Sequence, residues 1–317
     1  GPGAGSLSID GNASSRIFHV GSGATAVISG LTLTNGNAST GGGIYNSSTA
    51  TLTLTNSTVS NNTATAYYGG GIVNNLGTLI LNNSTVSDNT MTGTYGEGGG
   101  IWTNGSITTL STSTVVSGNP ATYKGGGIRN GSISTLTLNS STVSGNSAGN
   151  AGGIFNWGTL PLIVNNTTVS GNSATGSGGG IYHGNGTAYL KNTIVAGNTA
   201  GSGRPDCSGS PTSLGYNLIG DDTSCGFTAS TGDLVGTGAS PIDPLLDPLA
   251  LNAPGTTETH ALGTGSPAID AGNPATPGSG GNACEATDQR GVSRPVGSRC
   301  DIGAYEAGPA APVPGLS

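Results

Sequence analysis

Residues 41–64 read GGGIYNSSTATLTLTNSTVSNNTA, and this stretch returns along the chain with changes that keep its plan. Gly-Gly-Gly-Ile, once Ala-Gly-Gly-Ile, ends at Ile44, Ile72, Ile101, Ile128, Ile154 and Ile181, at spacings of 28, 29, 27, 26 and 27 residues. A Thr/Leu alternation such as Thr51-Leu52-Thr53-Leu54 follows each motif, and then a segment such as Ser57-Thr58-Val59-Ser60-Asn61-Asn62. Each unit therefore predicts three short strands separated by Gly and Asn turns. One unit cannot bury its own apolar side, whereas units stacked in parallel ~4.8 Å apart set each Leu and Ile over its counterpart. The expected fold is all-β, a single parallel β-helix with coils of about 27 residues.

Strict alternation assigns the side chains. Leu54, Leu81, Leu138, Val164 and Leu190 form one inward column; Val59, Val86, Val143 and Val169 form another; the isoleucines form a third. Ser111 interrupts the first, which predicts a slip or bulge near Thr108-Thr109-Leu110. Asn46, Asn74, Asn130 and Asn156, two residues after the isoleucines, are expected to be a structural amide ladder. Asn62, Asn89, Asn119, Asn146, Asn172 and Asn198 close the third strand in the same manner. Sequons starting at Asn56, Asn83, Asn139 and Asn166 then read as structural positions and not as glycosylation acceptors.

Composition narrows the functional classes. The chain has 317 residues, 60 of them Gly, with 7% charged and 4% aromatic residues and a formal net charge of −7. The eight Lys and Arg residues are scattered, so no basic stripe for nucleic acid is expected. No apolar run reaches the ~20 residues needed to span a bilayer, and no signal peptide is visible, as in a mature or trimmed form. Cys207 with Cys225 and Cys284 with Cys300 lack zinc-site spacing and are expected to be two disulfides formed in an oxidising compartment.

The units GGGIYNSSTATLTLTNSTVSNNTA and GGGIYHGNGTAYLKNTIVAGNTA resemble the repeats of bacterial parallel β-helix surface proteins. The segments GYNLIGDDTSC, GDLVG, DPLLDPL, THALGTGSPAIDAG, DQRGVSRP and RCDIGAYE resemble, in order, the closing region of the choice-of-anchor Q type. The resemblance implies a right-handed β-helix that is secreted or held at the cell surface, often through a C-terminal sorting tail. It divides the chain into regular coils at 1–200, a loop-rich continuation and cap with both disulfides at 201–306, and a Pro-rich tail at 307–317. GPGAGSLSIDG reads as the interior of a coil, which makes the first coil an expected bare edge.

Chemistry-bearing residues are few. Between Gly21 and Ala200 the acids are Asp88 and Glu97, and the basic residues are Lys124, Arg129, His183 and Lys191. Carboxylate pairs for glycosidic chemistry are therefore not expected, and no catalytic or metal-ligating residue is assigned. Glu97 and Lys124, each just before a Gly-Gly-Gly-Ile motif, are expected to make a surface ion pair between neighbouring coils. Asp288 and Arg290, with Arg294 and Asp301, are expected to make a small ion-pair network that pins the end of the solenoid, while His260 reads as a packing or hydrogen-bonding residue. No cofactor is expected. The one alternative kept open is calcium among Asp221, Asp222 and Asp233, whose spacing matches no EF-hand or nonapeptide loop.

One outward row stands apart. Tyr45, Val73, Trp102, Arg129, Phe155 and Tyr182 follow the isoleucines directly and should project to solvent as a contact ladder. The outward column of Thr58, Thr85, Thr142 and Thr168 also invites an ice-binding reading, which Val115 and Ile194 interrupt. The expected function is a non-enzymatic extracellular structural or surface protein, with end-to-end self-assembly into fibres a further expectation. The alternatives are a monomeric adhesin or glycan-binding module and, last, a polysaccharide lyase or hydrolase. The expected partners are further copies of the chain, or an extracellular glycan or surface partner.

Overall fold

The computed structural model describes residues 3–111 and 113–308; most of the Pro-rich tail, residues 309–317, lies outside them. The chain winds as a right-handed parallel β-solenoid without a helix among the described residues. Three parallel sheets form its walls. An eight-stranded sheet runs from Phe18–Val20 to Cys207–Ser208 and carries the isoleucines, and a second eight-stranded sheet runs from Thr25–Ser29 to Thr212–Ser213 and carries the leucines. A ten-stranded sheet from Ser8–Asp10 to Leu234–Val235 carries the valines.

Register is that of like over like. Ile44 lies against Ile72, Ile72 against Ile101, Ile101 against Ile128, Ile128 against Ile154 and Ile154 against Ile181. All six are fully buried. Leu110, aligned with Leu81 and Leu138, keeps the leucine column unbroken, and the expected one-residue irregularity falls just after it: Val116 follows Leu110 by six residues, whereas Val86 follows Leu81 and Val143 follows Leu138 by five. A second irregularity sits two residues before Leu110, where buried Thr108 replaces the leucine found at Leu79 and Leu136.

The glycine motif is dictated by space. Its first position has positive φ, as at Gly98 (72°) and Gly125 (65°), and Ala151 takes it at 54°. A Cβ at the second position would meet backbone: at Gly126 it would lie 2.4 Å from the Ser147 carbonyl oxygen. At the third, as at Gly127, it would press on the Asn146 amide at 3.0 Å.

That amide belongs to a continuous ladder. Asn62, Asn89, Asn119, Asn146 and Asn172 each donate Nδ2–H to Oδ1 of the next asparagine at 2.9–3.1 Å, ending at Asn198. The same Oδ1 also accepts the backbone N–H of the donor, and each Nδ2 donates again to a carbonyl of the preceding coil. Every amide of this ladder is thereby satisfied along the axis. The final donor, Asn198, meets Asp206, whose Oδ1 accepts from its N–H at 3.0 Å and its Nδ2 at 2.9 Å. A carboxylate suits a terminus that has to accept on every side. Burial nonetheless pushes its pKa up to about 6 against these hydrogen bonds.

The second ladder is interrupted. Asn46 donates to Asn74 at 2.8 Å and Asn130 to Asn156 at 2.7 Å, but the intervening coil carries Thr103. Asn74 then donates to Thr108 Oγ1 at 3.0 Å, which in turn bonds Thr103 Oγ1 at 3.1 Å. Asn130 Oδ1 is left without a donor. Of the sequon asparagines, Asn56, Asn83 and Asn166 occupy turn positions with φ between 42° and 49°, the left-handed region that asparagine tolerates.

Residues after Val235 do more than close the end, because they run back along the outside of the valine sheet. Gly303 N–H donates to the Asn192 carbonyl at 2.8 Å, Ala304 N–H to Thr168 Oγ1 at 3.0 Å, and Thr142 to Gln289 Oε1 at 2.6 Å. Further back, Thr256 donates to Asn83 Oδ1 at 2.6 Å. Ile194 and Leu218 on the sheet pack with Leu262, Ala268 and Ile302 of this strap. Thr142 and Thr168 are thus buried, and the threonine column is not an open ice-facing surface. The apolar Ile194 in that column is a seat for the strap.

Within the strap the ion pairs are Asp288 with Arg290 at 2.7 Å and Arg294 with Glu306 at 2.8 Å. Arg294 donates to the Asp301 backbone carbonyl, and Glu306 joins the expected network, accepting from Arg294 and from the Asp301 N–H. The disulfides join Cys207 to Cys225 and Cys284 to Cys300. Cys225 and Phe227 also join the main core and cover the C-terminal end of the stack.

Candidate functional site

Six residues of the isoleucine sheet form the expected outward row, and register puts Tyr45, Val73, Trp102, Arg129, Phe155 and Tyr182 side by side on consecutive coils. They are not free in solvent. Val73, Trp102 and Phe155 are buried, and Tyr45, Arg129 and Tyr182 half-buried. The outward direction is as alternation requires, but a second layer covers the row.

That layer is built by the residues just before the glycine motif. Tyr68, Glu97, Lys124 and Asn150 are bridged in parallel register, and Arg204 accepts from Gly178 with its carbonyl as Lys124 does from Gly98. Their side chains reach diagonally to the following coil. Tyr68 stacks on Trp102 at 4.3 Å, Glu97 meets Arg129 at 2.8 Å, and the Lys124 ammonium lies 5.0 Å from the Phe155 ring centre. At the first coil the Arg16 guanidinium lies 5.0 Å from the Tyr45 ring centre. Ring thus covers ring, acid covers base, and cation covers ring. The expected Glu97–Lys124 pair is therefore replaced: their backbones are in register, but Glu97 is drawn to Arg129, and Lys124 to Phe155 and to Tyr123 at 4.3 Å.

The outermost surface of this band is aromatic. Tyr67, Tyr95, Tyr123 and Trp157 are 62%, 73%, 37% and 44% exposed, and Tyr68 37%. Tyr95 meets Tyr123 edge to face at 5.8 Å, and Trp157 lies parallel to Phe155 at 6.0 Å. Gly184 leaves the space for that indole, since a Cβ there would sit 2.4 Å from it. Nine of the chain's fourteen Tyr, Trp and Phe residues belong to the band. The sequence carried a signal for the exposed ones: Tyr67, Tyr95 and Tyr123 lie five or six residues before an isoleucine of the repeat.

Among the described residues three buried donors of the band have no hydrogen-bond acceptor, Trp102 Nε1 and, on Arg129, Nη1 and Nε, the last held to Glu97 by the ion pair; register makes Trp102 and Arg129 neighbours. On the strap seam Ser144 Oγ and His260 Nε2 lie 2.8 Å apart, with His260 Nδ1 2.7 Å from the Asp247 carbonyl oxygen. Burial lowers the pKa of this histidine, which favours the neutral ring. Ser144 is one rung of a column shared with Ser117 and Ser170, and the contact docks the strap.

No group of three His, Cys, Asp or Glu residues is arranged to hold a metal ion among the described residues. Two of the three residues raised for calcium have other partners: Asp233 accepts from Ser213 and Asn217, and Asp221 from the Thr223 N–H. Among the described residues no helix is long and apolar enough to cross a membrane. Comparison with known proteins gives no matching family model, no matching curated protein and no matching solved structure.

Proposed function

We propose that this protein is a non-enzymatic extracellular rod that makes adhesive contact through its aromatic band. The observation that carries the reading is the exposure of Tyr67, Tyr95 and Tyr123 in the turns that lead into neighbouring strands of the isoleucine sheet, with Trp157 exposed just beyond the strand Ile154–Asn156. Aromatic side chains held in this way offer large amphipathic contact area with little conformational entropy left to lose on binding. Two disulfides fit an oxidising compartment, and with the resemblance to surface β-helices they favour a secreted or cell-surface location.

The non-enzymatic part rests on how the acids are used. The band's carboxylate, Glu97, is neutralised by Arg129, and Asp206, Asp221 and Asp233 accept from backbone and amide donors. A glycan array probed with the wild-type protein and with a Tyr67→Ser, Tyr123→Ser, Trp157→Ser triple variant tests the reading. Binding by the wild type that disappears in the folded triple variant is expected. Equal binding by both, or release of new reducing ends from any bound polymer, sinks it.

A second reading is end-to-end assembly, which would pair through Ser8–Asp10, Phe18–Val20 and Thr25–Ser29, the first described strand of each sheet. The covered opposite end, where Cys225 and Phe227 pack on the core, opposes open-ended stacking. Electron microscopy of concentrated protein separates the two, because filaments are expected only under the second.

A further inference from the structure

The band's charge is opposite to that of the molecule. Arg16, Lys124, Arg129 and Arg204 belong to it with a single acid, Glu97. This is half of the eight Lys and Arg residues and one of the fifteen Asp and Glu residues. Four cations against one acid give the band a formal +3 in a chain of −7, which leaves −10 for the rest of the molecule. The sequence conceals this because the cations are up to 188 positions apart, and only winding sets them in a file along one wall.

The hydrogen-bonding groups lean the same way. Arg204 is exposed, and Lys124 has aromatic faces and no carboxylate against it. From the first to the eighth strand of the sheet the file extends about 34 Å, at the usual ~4.8 Å between parallel strands.

We propose that the band binds an anionic polysaccharide laid along the solenoid axis, its sugar faces against the exposed aromatics and its carboxylates or sulfates against Lys124 and Arg204. The inference rests on the adhesive reading above and specifies its ligand. Stacking supplies contact with the pyranose faces, and a positive strip on an otherwise negative body selects the charged polymer and repels it elsewhere. Because contacts repeat along the file, affinity rises with oligomer length until the ligand spans the band.

The test uses polymer pairs that share a backbone and differ in charge: polygalacturonate with its methyl ester, and dextran sulfate with dextran. Each is titrated with the full chain at low and at high salt. Expected are at least about ten-fold tighter binding to one charged polymer than to its neutral partner, and weakening with salt. Lys124→Gln with Arg204→Gln is expected to lose about ten-fold, while Arg299→Gln, the same charge change at an exposed site off the band, loses none. Equal affinity for charged and neutral partners, or an unchanged double variant, overturns the polyanion while leaving an adhesive band in place. Binding to none of the four polymers also overturns it, and the triple aromatic variant on the array then decides the adhesive reading separately.

Discussion

Glu97 and Arg129 meet at 2.8 Å across two consecutive coils, although the backbone neighbour of Glu97 on that next coil is Lys124. The pair is mostly buried, with side chains 12% and 14% exposed. Its attraction is therefore screened less than that of a surface pair, and its loss leaves a charge poorly hydrated. Glu97→Gln is expected to cost about 2 kcal/mol in urea unfolding, between the exposed and buried cases. Adding Arg129→Leu should recover part of that loss; a double variant weaker than the single would count against the account.

The break in the second amide ladder makes Thr103 and Thr108 a coupled pair. Thr103→Asn alone crowds Thr108, and Thr108→Leu alone removes the acceptor used by Asn74. Made together, the two changes restore a donor to Asn130 Oδ1 and a leucine to the core column. The double variant is expected to exceed wild type by about 1 kcal/mol, with each single at or below it. A double-mutant cycle in urea reads this directly, and additive singles would refute the coupling.

Ala151 stands where five repeats have glycine, at φ 54°. Ala151→Gly relieves the left-handed strain and gives back some chain entropy, for a net gain of about 0.5 kcal/mol. One residue on, Gly152→Ala would set a Cβ 2.3 Å from the Ser173 carbonyl oxygen, and a marked loss of stability is expected. Urea midpoints of opposite displacement for the two variants are the readout.

Asp206 makes stability depend on pH. Burial raises its carboxyl from the ordinary 3.8 to about 6 in the folded protein, so the native state holds a proton that the unfolded chain releases. The contribution is full below pH ~3.8 and is lost as the pH rises through about 6; a displacement of about two units corresponds to roughly 3 kcal/mol. Asp206→Asn keeps an acceptor for Asn198 and cannot ionise. Relative to wild type the variant should gain about 2 kcal/mol between pH 4 and pH 7. Unfolding curves whose separation is the same at both pH values would contradict the role.

Particular residues show how much was legible. The isoleucine file, the asparagines from Asn62 to Asn198 and the outward sense of Trp102 and Phe155 all follow from spacing, because winding repeats every local choice. The partner of Glu97 did not follow, since the diagonal reach of a side chain is decided by what lies one coil on and one column over. Glu306 was missed as the partner of Arg294, and the covered state of Trp102 was missed because Tyr68 belongs to a different repeat. The strap escaped as well: nothing local in Thr168 or Ile194 indicates that Ala304 and Ile302 will lie on them.

Sequence alone determined the rung, its length, its three walls and its inward columns, because identical units can bury apolar side chains only by stacking in register. Tertiary structure alone decided the surface. It drew four scattered cations and nine aromatics onto one wall, covered the expected ladder with a second layer, and folded the C-terminal strap over the threonine column. A periodic pattern fixes which way a side chain points, whereas what covers it depends on charge and shape arriving from another coil.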